Sequence, residues 1–201
     1  MCHLLVLLLL STAPLAAQDH AHHGGHGSHG GLPTLRPIAE GSLHTAADVQ
    51  FMQGMIAHHA QAIRMSVLAA TRSGDARLIR FAQKIDQSQT SEIQLMGDWL
   101  AERRQVVPDS TTWTQITMPG MLTAAELAEL ATLTGTAFDR RFLELMIRHH
   151  EGAIAMVADL FVTPRAGQEV DVNVFANEVE QVQSVEIALM RQMLATLEGA
   201  R

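Results

Sequence analysis

Asp48-Val-Gln-Phe51-Met-Gln-Gly-Met55-Ile-Ala-His58-His59-Ala-Gln-Ala62-Ile63-Arg-Met65 and Asp139-Arg-Arg-Phe142-Leu-Glu-Leu-Met146-Ile-Arg-His149-His150-Glu-Gly-Ala153-Ile154-Ala-Met156 are two copies of one pattern. Nine of the eighteen aligned positions are identical, where ordinary composition gives roughly one by chance. A second pair of segments repeats as well. Phe81-Ala-Gln-Lys-Ile-Asp-Gln87-Ser-Gln89-Thr-Ser-Glu92-Ile93-Gln-Leu95-Met96 matches Phe175-Ala-Asn-Glu-Val-Glu-Gln181-Val-Gln183-Ser-Val-Glu186-Ile187-Ala-Leu189-Met190 at eight of sixteen positions. Both patterns place apolar residues three and four apart, so each reads as an amphipathic helix. Each repeat is then a helical hairpin, and one hairpin cannot bury its apolar face alone. The economical solution is two hairpins about a pseudo-two-fold axis, an all-α, ferritin-like four-helix bundle with a long crossover.

The boundaries follow from cap and breaker signals. Thr45-Ala-Ala-Asp48 has capping-box spacing and opens a helix to about residue 71; Ser73-Gly74-Asp75 ends it and starts a second, from about residue 76 to 104. Thr123-Ala-Ala-Glu126 starts a short helix inside the crossover. Thr136-Ala-Phe-Asp139 repeats the first cap and opens the third long helix, to about residue 162. Pro164-Arg-Ala-Gly167 is the turn before the fourth, which runs from about residue 170 to 197. Repeat one therefore covers 45–104, the crossover 105–135 and repeat two 136–198.

Ahead of the bundle, Leu4 to Leu10 form an unbroken apolar run followed by small residues to Ala17. This reads as a secretory signal over 1–17, since the run is too short to span a bilayer. Residues 18–44, with His20, His22, His23, His26 and His29 among glycines, read as a disordered tether. The only cysteine, Cys2, lies within the signal. The expected location is the periplasm or the extracellular space, with no membrane anchor in the mature form. A formal charge of −7, from 21 acidic against 14 basic residues, argues against nucleic acid or an anionic membrane as partner. Small cations suit it better.

The repeated stripes carry thioether sulfur and imidazole nitrogen, the donors that suit soft or borderline ions. With Met55 at zero on a helical wheel, His59 falls near about 40°, Met52 near about 60°, His58 near about −60° and Met65 near about −80°. The candidate metal ligands are therefore Met52, Met55, His58, His59 and Met65 in the first copy, and Met146, His149, His150 and Met156 in the second, with Leu143 where Met52 stood. Met55 with either adjacent histidine could hold one ion. Cu(I) is the best candidate, Ag(I) follows the same logic, and Cu(II) or Zn(II) could use the histidines or the tether. Release is expected as pH falls through the imidazole range near about 6 to 7. A cut after Ala17 would give Gln18-Asp19-His20, whose amine, amides and imidazole can form a square-planar Cu(II) site.

The plainer readings stand beside these. A Met in an apolar stripe is usually core filler, and buried histidines can simply be hydrogen-bonded. Asp48 and Asp139 read as helix caps rather than ligands. Glu92 and Glu186 could orient the histidines, ligate a harder ion or face solvent. Met118 and Met121, flanking Pro119-Gly120, read as turn and packing residues. A di-iron oxidase is the catalytic alternative, but such sites use Glu-x-x-His on two helices and this chain has none. A structural or interaction bundle, with two copies pairing as a homodimer, is the other. No nucleophile triad or phosphate-binding glycine loop is present.

The doubled Asp, Phe, Met, His-His, Ala-Ile, Met pattern, with Met118-Pro-Gly-Met121 before the second copy, resembles the domain of unknown function 305 family, which includes CopM-like periplasmic copper-binding proteins. The resemblance covers residues 46–197. It implies a ferritin-like helical bundle, export, and Cu(I) or Ag(I) bound by Met and His for copper resistance, storage or trafficking, the motif residues being Met55, His58, His59, Met65, Met146, His149, His150 and Met156. The protein that would deliver or accept copper is not implied.

Overall fold

The computed structural model of the protein describes residues 31–109, 114 and 116–199. The expected signal, the histidines at 20, 22 and 23, and the start of the tether lie outside the described residues. Within them are five helices and no strand: α1 (Ala46–Arg72), α2 (Ala76–Glu102), α3 (Ala124–Thr132), α4 (Gly135–Val162) and α5 (Val170–Gly199). α1 pairs with α2 and α4 with α5, and α1 packs directly on α4, joining the two hairpins. This is the duplicated bundle with a crossover that the sequence predicts.

Two aspartates fix how the hairpins meet. Asp48 closes the capping box of α1, accepting from the Thr45 amide at 2.6 Å. Its other oxygen accepts from the Gly167 amide at 2.7 Å, in the turn that follows α4. The start of α1 is thereby tied to the end of α4, so the two helices run antiparallel. Asp139 occupies the matching place near the start of α4 and faces Ser73 and Gly74, the turn after α1. The second capping box expected from the sequence is not formed. α4 begins at Gly135 with Thr134 as its N-cap and no side-chain cap bond. The reason is the turn: Gly135 takes a positive φ of 57° and opens the helix two residues ahead of the start that a Thr136 cap would give, which leaves Asp139 free to serve the other hairpin.

The end of the tether is a further correction. Leu32, Leu35 and Ile38 pack against the core, and the Gln105 side chain pairs with the Arg36 backbone, accepting from its amide at 3.0 Å and donating to its carbonyl at 3.3 Å. Averaging the composition over 18–44 hid three apolar residues at three-residue spacing. They cover the end of the bundle where Trp99 of α2 and Arg103, the residue that caps it, bind Glu169 at 3.1 and 2.7 Å.

The crossover is docked by glutamines of α1. The Gln53 side chain donates to the Val106 carbonyl at 2.8 Å, and Gln61 pairs with the Leu122 backbone, donating at 3.0 Å and accepting at 2.7 Å. Between these anchors, residues 118–121 lie against α1 and α4.

The buried apolar residues fall into two clusters. One holds residues 49–57 of α1, 96–100 of α2, 153–160 of α4 and 172–179 of α5. The other holds 62–69 of α1, 78–85 of α2, 138–146 of α4 and 187–190 of α5. Between them runs a layer of polar side chains at the helix mid-points. Buried imidazoles therefore divide the core in two.

Candidate metal centre

His58, His59, His149 and His150 are all fully buried. α1 and α4 cross at their centres, so the rings of His58 and His149 face one another with centroids 3.7 Å apart. His59 and His150 point the other way, toward α2 and α5. The His59 Nε2 lies 2.6 Å from Glu92 Oε2, and the His150 Nε2 lies 2.8 Å from Glu186 Oε2. Of the three roles open to these glutamates, the structure shows hydrogen bonding to the histidine rings. His58 is held differently, its Nε2 donating to the Pro119 carbonyl at 3.0 Å.

These partners decide the proton positions. A carboxylate or carbonyl oxygen only accepts, so Nε2 of His58, His59 and His150 carries the hydrogen, and in the neutral ring Nδ1 keeps a lone pair. Each of those Nδ1 atoms is buried without a hydrogen-bond partner, and neither ring nitrogen of His149 has one. Buried polar atoms are nearly always paired, and an orphan costs about 1–3 kcal/mol. Several orphaned lone pairs in one layer are what a ligand set looks like when its outer nitrogens are already fixed. Gln89 and Gln183, at matching places in α2 and α5, lie in the same layer with Oε1 also buried and unpaired.

Burial sets the charge state. The His58 ring is pushed down from 6.5 to about 3, chiefly by loss of solvent and next by His59, the Pro119 bond opposing. His149 is lowered well below the usual imidazole range by burial and then by His58, His150 and His59. Both rings are neutral donors throughout the physiological range. The release expected near pH 6 to 7 therefore does not apply to these two, because the folded protein does not offer them a proton there.

The thioethers flank this layer. Met52, Met55 and Met156 lie in the first apolar cluster, while Met65 and Met146 lie in the second. A single-helix wheel grouped Met65 with Met55 and His58. The structure parts them, since Met55 and Met65 stand on opposite sides of the imidazoles and the antiparallel crossing brings Met156 to the side of Met55 and Met146 to the side of Met65. Each side thus draws sulfur from both repeats. It also draws one from an outer helix: Met96 of α2 on the first side and Met190 of α5 on the second, both fully buried. These two were missed as donors, although their identity at matching places in the second repeated segment was the available signal. Among the described residues no three His, Cys, Asp or Glu side chains converge as a metal site, so the carboxylate-rich set of a di-iron oxidase is not assembled. Asp48 is a cap and a hairpin tie.

The mid-section of the bundle is thus a layer of buried imidazoles between two groups of thioethers. The chain belongs to the family described as domain of unknown function (DUF305), whose profile matches residues 48–194. Similar solved structures include a Deinococcus radiodurans DUF305 fragment, 32% identical, covering 76% of this chain and 98% of that one with a TM-score of 0.68. A Streptomyces coelicolor DUF305 protein, assigned to the secreted class, is also 32% identical over 76% of this chain and 94% of that one, with a TM-score of 0.65. CopM in its Cu(I)-bound form is 27% identical over 74% of this chain and 96% of that one, with a TM-score of 0.60. CopM is also known in Ag-bound and Cu(II)-bound forms. An uncharacterized protein of Acanthamoeba polyphaga mimivirus is 42% identical over 57 residues, a match that spans 28% of this chain and 38% of that relative. No helix among the described residues is long and apolar enough to cross a membrane.

Proposed function

We propose that the protein binds Cu(I) and Ag(I) in the bundle interior, through Nδ1 of the paired histidines and the flanking thioethers, and that it handles these ions outside the cytoplasm. The observation that carries this reading is the set of buried, unpartnered Nδ1 atoms on His58, His59 and His150, whose other ring nitrogens are fixed by Pro119, Glu92 and Glu186. An imidazole held by a carboxylate on one nitrogen and bare on the other is oriented to donate. Neutral thioethers complete the coordination without adding charge to a dry site, which suits a monovalent d10 ion better than Zn(II) or Fe(II). The Cu(I)- and Ag-bound structures of the related CopM support the choice of ion. Storage, trafficking or resistance, in the periplasm or beyond it, is the role this reading gives the protein. The histidines at 20, 22 and 23 would serve Cu(II) or Zn(II) capture separately.

The test is anaerobic titration of the full chain with Cu(I), Ag(I), Zn(II) and Fe(II), repeated with His58, His59, His149 and His150 all changed to Ala. Wild-type protein should take up Cu(I) and Ag(I) tightly and the variant should lose that uptake while remaining helical. A folded wild-type protein that binds neither ion sinks the reading. Glu92→Gln combined with Glu186→Gln should weaken Cu(I) binding about 10- to 100-fold, the usual consequence of losing the acceptors that orient metal-binding histidines, as measured by competition with a chromophoric Cu(I) chelator. An unchanged affinity would leave those carboxylates as surface partners only.

A further inference from the structure

The crossover brings a sulfur that the duplication does not account for. Met118 is buried at 4% exposure in the first apolar cluster. Its methyl sits over Gly54: a Cβ built on that glycine would fall 2.2 Å from Met118 Cε and 3.4 Å from its Sδ, with the Met156 Cε also at 3.4 Å. Gly54 lies one helical turn before His58. The residue after Met118 is the one whose carbonyl holds the His58 ring, so a single loop both orients an imidazole and lays a thioether against α1 one turn before it. The loop is seated by backbone contact, a Cβ on Gly152 falling 2.0 Å from the Pro119 oxygen. The crossover occurs once, and among the described residues no methionine from it lies in the second cluster. That half also has Leu143 where the first has Met52.

We propose that Met118 is a thioether ligand for the soft ion on the first side, and that it makes the two pseudo-symmetric halves a strong and a weak site filled in that order. This rests on the metal-binding reading above. Among the described residues the first side gathers fully or nearly buried Met52, Met55, Met96, Met118 and Met156, against Met65, Met146 and Met190 on the second. Each added thioether raises the affinity of a site for a soft monovalent ion without a proton to displace. Methionine has three rotatable bonds, so the sulfur can swing from the Gly54 notch toward an ion while the loop stays in place.

The experiment uses the full chain labelled at the methionine methyls with carbon-13, titrated with Ag(I) and followed by methyl NMR, with assignments from single Met→Leu variants. The methyl of Met118 should shift within the first equivalent together with Met156, and those of Met65, Met146 and Met190 within the second. Met118→Leu keeps the shape and should melt within about 2 °C of wild type, in keeping with a volume-conserving swap. It should nonetheless lose about tenfold or more in affinity for the first ion and abolish the order of filling. Filling of both halves together in the wild type overturns the proposal, as does a Met118 methyl that stays silent while the others shift; in either case the metal-binding reading stands. Absence of any methyl shift, with no silver retained on gel filtration, overturns both.

Discussion

Gly152→Ala is expected to destabilise the protein by about 3 kcal/mol, at the severe end for one added methyl group. A Cβ there would meet the Pro119 oxygen at 2.0 Å, its carbonyl carbon at 2.5 Å and the Gly120 Cα at 2.7 Å. All three are backbone atoms, so relief requires moving either α4 or the loop. Gly120 cannot give way easily, because it adopts a φ of 76° and its own Cα is packed against Gly152. The melting temperature, followed by far-ultraviolet circular dichroism, should fall by about 6–12 °C for a domain of this size. Gly54→Ala is the control. Its obstacle is the end of the flexible Met118 side chain, so a loss of about 1 kcal/mol is expected. If Gly152→Ala melted within 2 °C of wild type, the crossover would not be seated on α4 as described. Because the same loop holds the His58 ring, the Gly152 variant should also bind Cu(I) more weakly than the Gly54 variant.

The second large effect is on acid stability. His58 titrates at about 3 in the folded protein, and His149 is lowered in the same direction, whereas in the unfolded chain both titrate near the ordinary value of about 6.5. The unfolded state therefore gains protons that the folded state does not. Stability is complete above about pH 6.5 and falls as pH drops below it, by about 1.4 kcal/mol per unit for His58, with His149 acting in the same direction. From pH 7.5 to 5 the metal-free protein should lose about 2 kcal/mol through His58, with His149 adding a loss of the same sign. Asp139 works against this, since burial raises its carboxyl and the folded state then takes up a proton first. Glu126, lowered to about 2 through Arg148 and the Thr123 cap, loses its contribution only below about pH 4.5, outside this window. Urea midpoints measured across the range give the slope, and His149→Asn should make it shallower. A midpoint constant from pH 7.5 to 5 would contradict neutral, buried imidazoles. Saturating Ag(I) should restore stability, because a ligand that binds only the folded state adds RT ln(1 + [L]/Kd).

Both effects arise where the polar layer crosses the bundle, and the sequence disclosed only part of that layer. The repeated His-His pairs were plain from the duplication, and their burial followed from lying among Met, Ile and Phe at helical spacing. Which nitrogen faces which partner was not legible. It depends on Glu92 and Glu186 arriving from α2 and α5, and on the Pro119 carbonyl arriving from a crossover with no periodic signal. Met118 reads in sequence as a packing residue because its distance along the chain from Gly54 says nothing about their contact. In sequence Asp139 reads as the acidic partner of a second capping box, because Thr136-Ala-Phe-Asp139 matches Thr45-Ala-Ala-Asp48 in spacing; in the fold a glycine turn moves the helix start and gives the carboxylate to the opposite hairpin.

What the sequence determined by itself was the all-α class, the two hairpins, the crossover and the inward stripe of sulfur and nitrogen donors. Those are matters of periodicity and local cap chemistry, which neighbouring residues decide within a turn or two of helix. What only the tertiary structure decided was the grouping of donors. Antiparallel packing of α1 on α4 puts Met55 with Met156 and Met65 with Met146, and sets His58 against His149 at the crossing. A helical wheel knows one helix at a time, whereas the ligand sets are shared between helices whose relative direction is fixed by Asp48 and Asp139 reaching the far turns.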